Sequence, residues 1–479
     1  MSSLPARPRL ASHVLPRRHV VDGDERVVLH DLGTGRLVQI GPREWGLLAA
    51  ADGTRDLDGI VLAAAREGAH ARVAALEGFL AQLHQAGMLE DGVEEAPSPA
   101  VMAEDEAESQ DDPAARPLVP LPGFGLHCDG SGSCCRFYGT VIFGPVEAAR
   151  ARALLPMVRE GGARHERVFM PERGSGPTGG SAVTYCDGRC AYLGEDDRCM
   201  IHATGGPDAK PVGCRTFPAS FIDDGECVRV SVSVECSCVL ESAGRPGGSP
   251  LIPASARVRG DLDPTLVVER LEDQVSLTGS SLAPRAAFVA WSRLAASLFP
   301  TEDAAASLFA LGRAVEEHGL DEGACRRAVT DPPPLPLHDV CPLAGALSRR
   351  AARRVREDEG WRSKRDLVLL ASRWISAAAA ALADPDTCAL LLSSPPAAPR
   401  SEELYVAAMF HGHRLTGKRS VAEALRDRAL RLVVARALPL VLARVPVEER
   451  DPSAAHPLAL VEATLRGHGL DGYVEDVFG

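Results

Sequence analysis

Aromatic side chains are scarce, with 12 Phe, 4 Trp and 5 Tyr in 479 residues. Proteins that hold single-stranded nucleic acid by stacking bases need such rings. Basic charge is not in excess either. Lys and Arg number 52 against 65 Asp and Glu, a net charge of −13, the reverse of a nucleic-acid footprint. No apolar run approaches the roughly 18 residues of a spanning helix. The alanine-rich stretch from Ile375 to Ala383 is too short, and the one from Leu432 to Val445 is broken by Arg436, Pro439 and Arg444. The first twenty residues carry Arg7, Arg9, Arg17 and Arg18 but no apolar core, so they do not read as a secretory signal. Neither nucleic acid nor membrane is expected as a partner, and a cytoplasmic, reducing location is expected.

Charge and cysteine are present but unevenly spread. Ten acids and no base lie between Glu90 and Asp112, so that segment carries most of the net charge. Ten of the 13 cysteines fall between Cys128 and Cys238. In a reducing compartment such a cluster points to metal binding over disulfides. Cys325, Cys341 and Cys388 stand apart in helical patterns and read as isolated, inert core residues.

The organisation predicted from these patterns is α+β and multidomain. Residues 1–19 read as a disordered arm. Residues 20–92 carry a hairpin signal at Gly33-Thr34-Gly35, then three amphipathic helices: one opening at Pro42, one with Leu57, Ile60, Val61 and Ala64, one with Val73, Leu76, Phe79, Leu80 and Leu83. Residues 93–120 are an acidic, then proline-rich linker without periodicity. Residues 121–245 form an irregular cysteine module. Residues 246–479 are all-α, with Phe288, Trp291, Leu294, Ala295 and Leu298 on one face. Arg349, Arg350, Arg353, Arg354 and Arg356 make a basic patch on a helix, which could contact the acidic linker.

The module runs Cys128-Asp129-Gly130-Ser131-Gly132-Ser133-Cys134-Cys135, then Cys186, Cys190-Ala191-Tyr192-Leu193 and Cys199-Met200-Ile201-His202. Lys210-Pro211-Val212-Gly213-Cys214-Arg215-Thr216-Phe217-Pro218 follows, then Val234-Glu235-Cys236-Ser237-Cys238. Glycine and proline turns between cysteines let short loops aim thiolates at one point. Soft thiolates suit zinc or an iron–sulfur cluster. Paired Cys-x-x-Cys knuckles are missing and the thiols exceed one tetrahedral site, which leans to iron–sulfur, 4Fe-4S in form, or to two metals. Four cysteines have an arginine beside them (Arg136, Arg189, Arg198, Arg215), which offsets thiolate charge. The predicted ligands are Cys128, Cys134, Cys135, Cys190, Cys199 and Cys214, with Cys236 next. Cys186 and Cys238 are reserves, Cys227 reads as a strand residue, and His202 is a ligand or a structural partner.

Three other signals fail on inspection. A radical S-adenosylmethionine loop would start at Cys186 and Cys190, but Leu193 stands where its third cysteine belongs. Gly412 to Lys418 nearly matches a phosphate loop, yet Arg419 replaces the magnesium-binding hydroxyl and a helical pattern precedes it. Gly174 to Gly180 lacks flanking elements and reads as a flexible insertion.

Two resemblances follow from these residues. Val38-Gln39-Ile40, Trp45, Asp52-Gly53-Thr54, Phe79-Leu80, Leu83 and Gly87-Met88-Leu89 resemble PqqD-like peptide-recognition domains, which implies a winged helix and a peptide docked on a hairpin edge. The cysteine module resembles the YkgJ-like zinc- or iron-chelating cysteine-cluster family and the related flagellin lysine N-methylase family. It departs at Ser131, where the commonest pattern has a further cysteine. The resemblance implies a metal centre that serves modification of a peptide or protein, in its most concrete form lysine N-methylation with S-adenosylmethionine. The alternative is a non-enzymatic metal-binding or redox-sensing adaptor that docks a peptide.

Overall fold

A computed structural model of the protein describes residues 4–31, 36–91, 112–130, 132–137, 141–155, 158–160, 163–165, 181–360, 362–364, 366–392, 398–417, 419–446 and 456–467. The readings on Gly33-Thr34-Gly35, on Ser131, on Gly174 to Gly180, on Lys418 and on most of the acidic linker lie outside them. The described residues mix α and β structure. The chain divides into two compact units, Met1–Asp111 with Tyr138–Arg215, and Asp112–Phe137 with Thr216–Gly479. That division runs through the stretch 121–245 expected as one cysteine module.

In the first unit, strands Val14–Val21 and Asp24–Asp31 pair antiparallel. Asp22 and Gly23 join them with φ of 51° and 86°, the two left-handed residues of a tight hairpin turn. Leu37–Ile40 pairs with the other edge of Asp24–Asp31. Tyr185–Cys186 pairs in parallel with Val14–Val21, and Arg189–Cys190 completes the five-stranded sheet. The turn Asp187-Gly188 repeats the first, with φ of 45° and 83°.

The expected disordered arm is therefore corrected. Pro8–Leu10 is a strand against Leu89–Asp91, and Val14–Val21 is central, with Val14, Leu15 and Val20 buried. Arg17, Arg18 and His19 suggested a solvated segment, but a central strand buries both its faces. Arg18 meets Glu25 at 2.7 Å.

Helices Pro42–Ala50, Leu57–Arg66 and Val73–Gln85 carry the apolar positions read from the sequence. Proline opens the first, and the Asp56 carboxylate accepts the Gly59 N–H at the start of the second. Leu29, Trp45, Leu48, Ile60, Leu76 and Leu80 close one core with the sheet.

In the second unit a four-stranded sheet runs Glu269–Arg270, Ala219–Asp223, Val228–Val232, Leu118–Pro120. Nine helices between Arg285 and Gly467 share a large apolar core, among the described residues. Asp303, Asp321, Asp366 and Ser420 cap four of them through their side chains. No single described helix is long and apolar enough to cross a membrane. The basic patch lies on helix Leu337–Asp358, but Arg354 is not free: its half-buried side chain lies 3.3 Å from Asp358 and 3.7 Å from Glu357.

Glu462 is the hub of a buried charge network. It accepts the Tyr405 hydroxyl at 2.6 Å, Arg428 at 2.5 Å and Arg431 at 2.9 Å. Removing one member of a buried charge network strands the rest. Glu462→Ala is expected to lower the unfolding free energy by about 3–5 kcal/mol, read as a reduced urea midpoint.

Candidate metal centre

Two backbone segments approach closely in the second unit. Leu126 and Ser249 exchange hydrogen bonds of 2.8 and 2.9 Å. A Cβ on Gly125 would lie 2.0 Å from the Gly247 carbonyl oxygen, so only glycine fits. The Ser242 hydroxyl then ties the ends: it accepts the His127 N–H at 2.9 Å and donates to the Cys238 carbonyl at 2.6 Å. Gly130, at φ 73°, turns the chain just after Cys128.

This framework sets Cys128 opposite Cys238, the second residue of helix Ser237–Glu241. The Cys128 Sγ, an Asp129 carboxylate oxygen and the Cys238 Sγ lie within 4.8 Å of one another. The Cys238 thiol donates to Asp129 Oδ1 at 3.1 Å, and Cys236 hydrogen-bonds Cys238. The Gly130 N–H donates to Cys128 and the Asp129 N–H to Cys238. Amides aimed at sulfur are what a thiolate metal site needs around it. Among the described residues this is the one group of three donors so close together.

The donors crowd one another. Contact with Cys238, then burial, drives the Cys128 thiol far above its ordinary value. For Cys238 the contact with Cys128 pulls down, but Cys236 and burial outweigh it and push the thiol up to about 12. Burial, then the Asp129 charge, raises Glu241. Two thiols and a carboxylate this close together are a donor set that fits a soft metal ion, whose entry would displace the thiol protons.

Cys236 is buried at the start of the same helix, inside an apolar cluster with Leu121, Val232 and Val239. Cys134 and Cys135 are half-buried on the one-turn helix Ser133–Phe137, anchored by buried Ser133 and Phe137. The first unit holds the rest. Cys186 and Cys190 are buried in the Tyr185–Cys190 hairpin. Cys190 and Cys199 flank buried Tyr192, whose hydroxyl is pushed up by burial first and then by Cys190. Cys214 is half-buried on helix Val212–Thr216, whose first N–H donates to Glu147 at 2.6 Å. His202 is exposed on helix Met200–Gly205.

One reading is corrected. Cys227 is not in a strand but in the turn before Val228–Val232. Its N–H donates to Asp224 at 2.8 Å, because the carboxylate closes the hairpin. Burial alone would raise Asp224, but hydrogen bonds from His413, Arg229 and the turn amides hold it well below the usual carboxylate range. Cys388 is buried in the helical core and Cys341 is half-buried at its margin. Asp129 went unnoticed in the sequence. Its signal was its place between a cysteine and a left-handed glycine, where adjacent side chains converge.

Comparison with protein-family models, curated proteins and solved structures returns no match.

His456 N-caps helix Pro457–Gly467, and its backbone N–H reaches Ser237 Oγ at 3.4 Å. Burial pushes its imidazole from 6.5 down to about 4. Between those values the unfolded chain takes up a proton that the folded chain refuses, so stability falls as pH drops from 6.5 towards 4. The loss is expected to reach about 3 kcal/mol. His456→Gln is expected to remove that slope from denaturant unfolding measured across the window.

Proposed function

We propose that the protein is a metal-binding cysteine-cluster protein whose ion is held by Cys128, Asp129 and Cys238, with Cys236 against Cys238. One observation carries this: two thiols and a carboxylate meet within 4.8 Å where the Cys128-Asp129 loop faces helix Ser237–Glu241, with loop amides towards the sulfurs. Cysteine sulfur selects zinc or an iron–sulfur cluster over hard cations. In this role the chain's residues hold the thiols at one point, supply N–H groups that offset thiolate charge, and release protons as metal enters.

The resemblance of the cysteine module to chelating and lysine-methylating families supports placing this centre in the service of peptide or protein modification. The same resemblance leaves a docking adaptor as the simpler use of the site.

The test is metal analysis of anaerobically purified full-length protein. The expected result is stoichiometric zinc, or iron with sulfide and visible absorbance. Cys238→Ser and Cys128→Ser are each expected to lower metal affinity at least about tenfold, while Cys227→Ser leaves it unchanged. Metal content equal to wild type in both ligand variants would overturn the assignment. Incubation with a methyl donor and lysine peptides, read by mass, separates enzyme from adaptor.

A further inference from the structure

The three donors of the candidate centre meet the solvent differently. Cys128 and Asp129 are exposed on their loop, while Cys238 is buried near the start of helix Ser237–Glu241. An ion held between them has protein behind it, on the Cys238 side, and water in front. Among the described residues the group holds three donors and no fourth. Cys236, two positions from Cys238, packs in an apolar cluster with Leu121, Val232 and Val239 and is not a member of the group. Ions of the zinc type take four ligands. Structural sites complete the set with protein side chains, whereas sites that act on a small molecule keep one position for water or substrate. Three donors on an exposed loop match the second kind.

We propose that the centre keeps one coordination position open to solvent, and that an external neutral nitrogen donor of the imidazole class occupies it. The inference rests on the metal reading above, for a single divalent ion. Charge selects the donor. Two thiolates and one carboxylate bring three negative charges to a divalent ion and leave one in excess. Glu241, exposed and three residues after Cys238 on the same helix, adds a further negative charge on that side. An anionic ligand would meet repulsion there, and a neutral one would not. A lysine amine is protonated at about pH 7.5 and has no lone pair to give, whereas an imidazole is largely neutral there. Imidazole nitrogen also suits ions of the zinc type. Binding is an exchange of ligands: the ring nitrogen places its lone pair on the ion, and the water that held the position leaves with its own. No electron or proton changes hands.

The experiment uses the full chain, freed of metal and loaded with one equivalent of cobalt(II), whose visible absorption reports the number and kind of its ligands. Imidazole is titrated in at about pH 7.5, with sodium azide as the anionic probe. The expected result is a saturable change in the visible bands with imidazole, while azide binds at least about fivefold more weakly. The thiolate-to-cobalt absorption persists throughout, because the sulfurs stay bound. The inference is overturned if the bands do not move with imidazole, which means that the chain itself completes the set. It is equally overturned if imidazole strips the thiolate absorption, or if azide binds as tightly as imidazole. Cys128→Ser, at an exposed position, separates the two proposals. Loss of the cobalt spectrum in that variant upholds the metal reading whatever imidazole does to the wild type, and a spectrum equal to wild type overturns both. The wild-type titration decides the open position by itself, so a variant that fails to fold does not block the test.

Discussion

The contact of Gly125 with Gly247 and Gly248 governs the candidate centre. Two main-chain segments more than a hundred residues apart touch there with no side chain between them. That approach lets Leu126 and Ser249 bridge, lets Ser242 reach both strands of the arrangement, and sets Cys128 in front of Cys238. A methyl group at Gly125 would have to occupy the position of a carbonyl oxygen, and every sulfur distance downstream would change with it. The chemistry of the donors is ordinary cysteine and aspartate chemistry, and their placement is set by the absence of a side chain elsewhere.

Much of the local structure was legible. Proline at Pro42 marked where one helix begins. Apolar spacing marked the faces of Phe288, Trp291 and Ala295 that turn inward. These are signals between residues three or four apart, and the helix period converts them directly into geometry. Val14–Val21 was hidden because its charged residues are buried by strands on both flanks, one of which lies far along the chain. The Asp22-Gly23 turn was the local clue to it.

The centre was legible in composition and not in membership. Ten cysteines among turns pointed to one module, but spacing along the chain does not say which sulfurs face each other. Cys238, a reserve, stands against Cys128, and Asp129 joins them. Pairings of this kind come from tertiary structure, where sequence separation carries little information.

The parallel pairing of Val14–Val21 with Tyr185–Cys186 has a consequence for synthesis. Asp22 and Asp187, which hydrogen-bond beside that pairing, are 165 positions apart. At roughly 5–20 residues per second, the second strand leaves the ribosome about 8 to 33 seconds after the first. Through that interval Val14–Val21 has a hairpin partner on one side and an open row of amides and carbonyls on the other. Its arginines, buried in the finished sheet, are then still in water, where their charge keeps the waiting edge from pairing with another nascent chain.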